Sequence, residues 1–294
     1  MSQLRTLLAA RGRVVIMGVL NRTPDSFSDG GLFVDEAAAR ARVEAMLAEG
    51  ADVIDIGAES TRPGSQPVSD AEQVARLGSS VRDVARMGAV VSIDTTSPAV
   101  AERALGDGAA IVNSVSLEAA APLGAVCARH GAALVLMHSR GEMASMPGFS
   151  RYADDAYGDV VADVAREWMS AAERALDAGV GRDELVLDPG LGFAKNARHS
   201  LELCARLDEL CALGFPVLVG PSRKSFLVRA AASADPSLGE APPEARLGGT
   251  VAATLACAAR GASMVRVHDV APVRQALAVA AALERARGGA RAHA

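Results

Sequence analysis

The feature that most limits what this chain can become is an eightfold alternation. A short run of β-branched and apolar residues leads into a polar loop, then into a stretch rich in Ala, Leu and Arg, and the pattern returns eight times. The runs read as strands at Val14–Val19, Val53–Ile56, Val90–Ile93, Ala110–Val112, Ala133–Met137, Leu185–Leu187, Val217–Val219 and Met264–Val267. Helices are expected between them, among them Asp35–Glu49, Ser69–Arg86, Asp154–Ala178, Arg198–Ala212 and Ala271–Arg287. Gly50, Gly88, Gly108, Gly131, Gly214 and Gly261 each separate a helix from the next strand, where the helix C′ position wants a positive φ. Strands this apolar, joined by helices, belong to a parallel sheet covered on both faces. Eight units in 294 residues predict an α/β fold closed as a (β/α)₈ TIM barrel, with an open doubly wound sheet as the alternative. No linker or composition shift divides the chain, so one domain over 1–294 is expected, its core at about 14–287. The Pro-rich stretch Ala234–Pro243 reads as a surface loop inside one unit.

The barrel reading says where chemistry belongs, because active sites of this fold lie at the carboxyl ends of the strands. Those ends offer Asn21, Asp55 with Glu59, Asp94, Asn113, His138, Asp188, Lys224 and His268, whereas the opposite ends offer mostly Gly-Ala. The first unit shows the contrast within one stretch, Val14–Gly31, VVIMGVLNRTPDSFSDGG. An apolar strand breaks at Asn21 into a long loop of Asn, Thr, Pro, Asp, Ser and Gly, which cannot continue a strand. Long loops at strand ends are often functional. This loop and the Gly/Pro-rich one after the second strand are candidates for covers over the mouth.

Composition narrows the partners. Half the residues are hydrophobic but only 3% are aromatic, so the core is built from Ala, Val, Leu and Ile. A net charge of −5 without a basic stripe argues against nucleic acid. The start MSQLRTLLAARGR is too short in apolar residues for a signal peptide, and no run approaches a membrane span. A cytoplasmic protein without a membrane partner is expected. Cys127, Cys204, Cys211 and Cys257 have no metal-like spacing and read as small buried hydrophobes.

Asp55, Asp94, Asn113 and Asp188 place short carboxylates and an amide at one mouth. Such groups suit a flat nitrogen heterocycle, because a carboxylate accepts from two ring N–H groups and an amide both donates and accepts. A helix N-cap is the competing reading of Asp94, which precedes Thr95-Thr96-Ser97-Pro98. GPSRKSF, Gly220–Phe226, follows a strand and opens a helix, so Lys224 and Ser225 lie at an anion-binding helix end. It is not a Walker A loop, since Arg223 precedes the lysine. Arg62, Arg266, His268 and Asn21 can together hold a polyphosphate with Mg²⁺, a cation that keeps water and takes few protein ligands. No HxH, HExxH or cysteine cluster points to zinc, and no GxSxG to a covalent enzyme.

The ordered set MGVLNRTPDSFSDGG, DVIDIGAESTRPGS, VSIDTT, Asn113, LMH, LDPGLGFAKN, SRKSF and VRVHDV resembles the dihydropteroate synthases across about Val14–Val270. The resemblance implies a transferase of folate biosynthesis, a sulfonamide target, usually a homodimer, built on a (β/α)₈ barrel. It would join 6-hydroxymethyl-7,8-dihydropterin pyrophosphate to p-aminobenzoate, giving 7,8-dihydropteroate and pyrophosphate with Mg²⁺. It assigns Asp94, Asn113, Asp188 and Lys224 to the pterin ring, Met137 and Phe193 to its pocket, and Arg266 to its face. Asn21, Arg62 and His268 would hold the pyrophosphate, with Asn21 also a Mg²⁺ ligand, and Ser225 would meet the p-aminobenzoate carboxylate. Asp25, Phe27 and Asp29 on the first loop and Thr61 and Pro63 on the second would close over p-aminobenzoate. A dissociative displacement follows, in which Arg62 and His268 steady the leaving pyrophosphate while Asp94 and Asp188 favour a cationic methylene.

Five places depart from the family pattern: Ala58, Ser114, Pro221, Val228 and the loop SRGEMASMPGFSRYADD after His138. Ser114 is expected to loosen Asn113, and Val228 to force a different local turn if the usual glycine there used positive φ. They leave room for a pterin-binding paralogue that is non-catalytic or takes another substrate. A related barrel that presents methyltetrahydrofolate for methyl transfer would share the Asp/Asn pocket but would not need SRKSF or Arg62.

Overall fold

The computed structural model describes residues 2–21, 36–59, 65–141, 146 and 152–291. Eight strands run β1 Val15–Asn21, β2 Val53–Gly57, β3 Val90–Asp94, β4 Ile111–Ser114, β5 Ala133–Met137, β6 Leu185–Asp188, β7 Leu218–Val219 and β8 Met264–Val267. All pair in parallel, in the order β6-β5-β4-β3-β2-β1-β8-β7. A bridge between Leu187 and Val217 brings β6 to β7 and closes the ring, which sets the open sheet aside. Every strand lies within two residues of where its apolar run placed it, and the six helix-terminal glycines named above all have positive φ.

Side chains alternate across a strand, so each strand divides into an outward and an inward set. The outward set, including Ile54, Ile56, Val91, Ile93, Leu134, Leu136, Leu185 and Leu187, packs with the helices in one large core. Trp168, the only tryptophan, fills that layer from the helix Val160–Asp177. It is fully buried, donates Nε1–H to the Leu136 carbonyl at 2.8 Å and meets the edge of Phe215. The inward set forms a second cluster of Val15, Met17, Val53, Ile111, Ala133, Val135, Val186, Leu218 and Met264. That cluster fills the lower part of the barrel.

The bottom is closed by an element the sequence reading passed over. The helix Gln3–Arg11 starts at Ser2, whose side chain accepts the Arg5 N–H, and ends at Gly12 with φ 56°. It inserts the fully buried Leu4, with Leu7 and Leu8 beside it, into the inward cluster. Ser2 also bonds Glu184 at the start of β6. Three expected helices are shorter or broken. Ser69–Arg86 is two helices, Asp70–Leu77 and Ser80–Arg86, parted at Gly78 with φ 51°. Arg198–Ala212 likewise breaks at Arg206 into Ala197–Ala205 and Leu207–Cys211. The expected start at Asp154 moves to Val160, because Asp159 is the residue whose carboxylate accepts the N–H groups of Val161 and Ala162. Among the described residues no helix is long and apolar enough to cross a membrane.

Candidate active site

Two residues further along each strand, the inward parity that gave Val53, Ile111, Val186 and Met264 gives Asp55, Asn113, Asp188 and Arg266. The register sets Asp94 beside Asn113 and Met137 beside Asp188, while Arg266 pairs with Met17 at the top of the plug and reaches the polar groups with its side chain. A dry apolar plug thus carries a ring of polar groups at its carboxyl end. Asp55, Asp94, Asn113 and Asp188 are all buried.

Arg266 spans this ring. Its Nε donates to Asp55 Oδ2 at 2.6 Å and its Nη2 to Asp94 Oδ2 at 3.0 Å. Asn113 Nδ2 donates to the same Asp55 oxygen at 3.2 Å. Asp55 is therefore an anchor shared by an arginine and an amide, a role that strand spacing alone could not assign. The other oxygens, Asp55 Oδ1 and Asp94 Oδ1, are buried and have no hydrogen-bond partner among the described residues. Two buried acceptors at one end of the barrel, without partners among the described residues, ask for donors from a ligand. Burial, opposed by Arg266, pushes Asp94 up to about 7, and burial also raises Asp188. The helix after β3 starts at Ser97, whose side chain accepts the Val100 N–H, so Asp94 is free of the capping role.

Lys224 faces Asp188 from the β7 side. Its Nζ donates to the Leu191 carbonyl at 2.7 Å and sits 4.5 Å from the centre of the Phe193 ring. Burial lowers it to about 8, against the pull of Asp188. As expected, Lys224 and Ser225 open a helix, Ser225–Ala234. The turn before it is strained: Arg223 has φ 59°. Thr250 Oγ1 accepts its N–H, Arg246 donates to its carbonyl, and Asp269 accepts Nε and Nη2 at 2.9 and 2.6 Å. Positive φ therefore falls on Arg223. Val228 lies inside the helix, so the altered turn expected at Val228 does not arise.

Asp188 Oδ1 accepts the Gly190 N–H at 2.8 Å, which ties the carboxylate to its own loop. Phe193 packs with Val115, Met137, Met146 and Ala194 in a small apolar cluster, so Met137 and Phe193 do share a wall. Ser222 Oγ accepts the His268 N–H at 3.1 Å and lies 3.0 Å from Nδ1 of its ring. That serine, missed as a site residue, stands inside the SRKSF motif that signalled its neighbours. Asn21 ends β1 half-buried at the same rim. Ser114 bonds Ser116 on its own loop, while Asn113 takes its orientation from Asp55, so the expected loosening has no contact behind it. Glu59 accepts Val68 N–H and Gln73 Nε2–H, holding the base of the second loop. His138, just past β5, is fully buried, but its ring turns away from the mouth toward Glu167 on the outer helix. Cys211 is half-exposed, unlike the other three thiols. Asp25, Phe27, Asp29, Thr61, Arg62 and Pro63 lie outside the described residues.

A barrel whose carboxyl-end layer pairs buried carboxylates with Arg and Lys is matched by known proteins. The family described as pterin binding enzyme matches residues 17–268. The dihydropteroate synthase of Mycobacterium leprae is 44% identical over 92% of this chain and 93% of its own length. The chain belongs to the dihydropteroate synthase family. Among solved family structures, the Xanthomonas albilineans dihydropteroate synthase with 4-aminobenzoic acid is 38% identical, with a TM-score of 0.82 over 92% of this chain and 93% of that one. The Thermus thermophilus dihydropteroate synthase in complex with 6HMPPP is 42% identical, with a TM-score of 0.74 over 92% and 94%. Within the dihydropteroate synthase family the chain is a transferase.

Proposed function

We propose that the buried ring of polar groups is the pterin site and that the chain condenses 6-hydroxymethyl-7,8-dihydropterin pyrophosphate with p-aminobenzoate to 7,8-dihydropteroate and pyrophosphate. The pair of buried oxygens without partners among the described residues, Asp55 Oδ1 and Asp94 Oδ1, carries this reading. A pterin's amide and amidine edges supply the N–H donors those acceptors need, and Asp188, Asn113 and Lys224 complete donors and acceptors around the ring. Met137 and Phe193 flank it, and Arg266 lies along it.

The reaction needs no protein nucleophile. The bond from the pterin methylene to the pyrophosphate oxygen breaks with its electron pair leaving on oxygen. Arg62 and His268 meet that negative charge, and Asp94 and Asp188 favour the cationic methylene left behind. The amine of p-aminobenzoate then bonds to that carbon and gives up a proton. Ser225, at a helix amino end, meets its carboxylate, and the loops with Asp25, Phe27, Asp29, Thr61 and Pro63 order the ring. Asn21 would hold Mg²⁺, because a neutral amide oxygen at the rim is a hard donor suited to that cation, and the bound ion would supply positive charge to offset that of the pyrophosphate.

The same reading includes a single domain over 1–294, a cytoplasmic location, a homodimer, and small-molecule partners only. The deciding assay is formation of dihydropteroate and pyrophosphate from the two substrates, with and without Mg²⁺. Mg²⁺-dependent product that is lost in Arg62→Ala and Lys224→Ala supports it. Tight pterin binding with no product would instead mean a paralogue that keeps the ring site alone.

A further inference from the structure

Beneath the loop that carries Asp188 and Phe193 lies a charged cluster that this reaction does not use. Lys195 and His138 are both fully buried. Lys195 Nζ is 2.9 Å from His138 Nδ1 and donates to the carbonyls of His138 and Phe193 at 3.2 and 3.0 Å. On the other side of the ring, His138 Nε2 is 2.9 Å from Glu167 Oε2. Arg140 donates to both Glu167 oxygens and lies 3.9 Å over the Tyr157 ring. Tyr157 in turn donates its hydroxyl to the Ala194 carbonyl at 2.8 Å. Two successive loop carbonyls, of Phe193 and Ala194, are thus gripped from below by groups anchored on the end of β5 and the outer helix. Ala194 is held at φ 48°. The loop also lies hard against β5: a Cβ on Gly190 would stand 2.0 Å from the His138 carbonyl oxygen and 3.3 Å from Lys195 Nζ.

The donor count limits where the protons sit. An ammonium has three donors, and Nζ has three neighbours, two carbonyl oxygens and a ring nitrogen. With Lys195 charged, Nδ1 of His138 must be bare, Nε2 carries the hydrogen, and the Glu167 carboxylate accepts it. Moving one proton from Lys195 to His138 also satisfies every group, as an amine beside an imidazolium. Burial lowers both groups, Lys195 well below its ordinary value and His138 to about 4, while Asp188 and Glu167 favour the ammonium. A neutral amine would face the bare Nδ1 lone pair to lone pair, and lysine's ordinary lead of about four pK units places the shared proton on Lys195.

We propose that Lys195 is a positioning residue of the pterin site: its buried ammonium clamps the loop 189–194 onto the end of β5, fixes His138 as the neutral Nε2–H tautomer, and so sets Asp188 and Phe193 against the ring. The burial that holds His138 down at about 4, together with the Lys195 charge, agrees with a neutral ring. This inference rests on the pterin reading, and its test separates the two.

The test uses the full chain labelled with ¹⁵N-histidine, the His138 signals assigned by their loss in His138→Gln. The wild-type spectrum should show His138 with a protonated Nε2 and a bare Nδ1. An imidazolium or an Nδ1–H tautomer at neutral pH overturns the proposal without any variant of Lys195. In Lys195→Met, Glu167 remains and the opposing charge is gone, so the pH at which His138 takes up a second proton should rise. Calorimetry with 6-hydroxymethyl-7,8-dihydropterin should show binding weakened by about tenfold or more, with the KM for p-aminobenzoate within about twofold. Lys195→Gln serves if the Met variant does not fold. Pterin affinity unchanged in the folded variant overturns the proposal. Wild-type protein that binds no pterin overturns the functional reading instead.

Discussion

Asp94 gives one oxygen to Arg266 and keeps the other buried without a partner among the described residues, and this has consequences that pH can read. On the proposed reading, ring binding needs Asp94 ionised and Lys224 as ammonium. The first form is lost as pH falls through about 7, the second as pH rises through about 8. The profile of kcat/KM for the pterin substrate should therefore be bell-shaped, highest between those values, with the apparent limits belonging to the coupled cluster. Stability should follow the same carboxyl in the opposite sense. Its ordinary value is 3.8, so between there and about 7 the folded chain holds a proton that the unfolded chain has lost. Unfolding free energy should fall as pH rises across that window, by up to about 1.4 kcal/mol per unit, and then level off. Denaturant titrations of Asp94→Asn should show a shallower slope, with the part due to Asp188 remaining. Asp55→Asn tests the anchor: with Arg266 and Asn113 less firmly held, pterin affinity should fall by roughly 1–3 kcal/mol, measured by calorimetry. Which residues stand in this layer was legible, because period two is local. That Asp55, Arg266 and Asn113 share one oxygen was not, because those residues come from strands far apart in the chain.

At the scale of elements, the turn Pro221–Lys224 delivers the lysine and the helix amino end together. Pro221 accepts the Lys224 N–H at 3.2 Å, and the strained Arg223 between them is pinned by Thr250, Arg246 and Asp269. Strain of about 1–3 kcal/mol at such a residue persists only while its surroundings hold it. Asp269→Ala should destabilise the chain by roughly 1–2 kcal/mol and raise the pterin KM, because the residue it releases adjoins Lys224. Adding Arg223→Gly should recover part of the stability, since glycine adopts positive φ without strain. Thermal melts of the single and double variants decide this. The motif SRKSF announced the helix end, but not the strain, which depends on partners 23 to 46 residues away. Helix ends marked by glycine were legible for the same local reason as the strands. The breaks at Gly78 and Arg206 were not: Gly78 is followed by a second helix rather than a strand, and Arg206 carries no local stop signal.

For the whole molecule, the barrel has an apolar lower end sealed by the helix Gln3–Arg11 and a polar upper end that carries the chemistry. Leu4 is fully buried in the seal. Leu4→Ala should cost about 2–5 kcal/mol of stability while kcat/KM stays unchanged at temperatures where the variant is folded. A combined melt and assay checks that separation. What the sequence by itself determined is the periodic part: eight apolar runs, their parity, and so which end of the barrel is polar. Those follow from backbone geometry that any few residues carry. Only the tertiary structure decided the rest: the bottom seal, the Asp55 anchor, the Ser222 hold on His268, and a His138 that faces outward to Glu167 with Lys195 behind it. Each is a contact between groups distant in the chain, and closing the sheet is what brings them within hydrogen-bond reach.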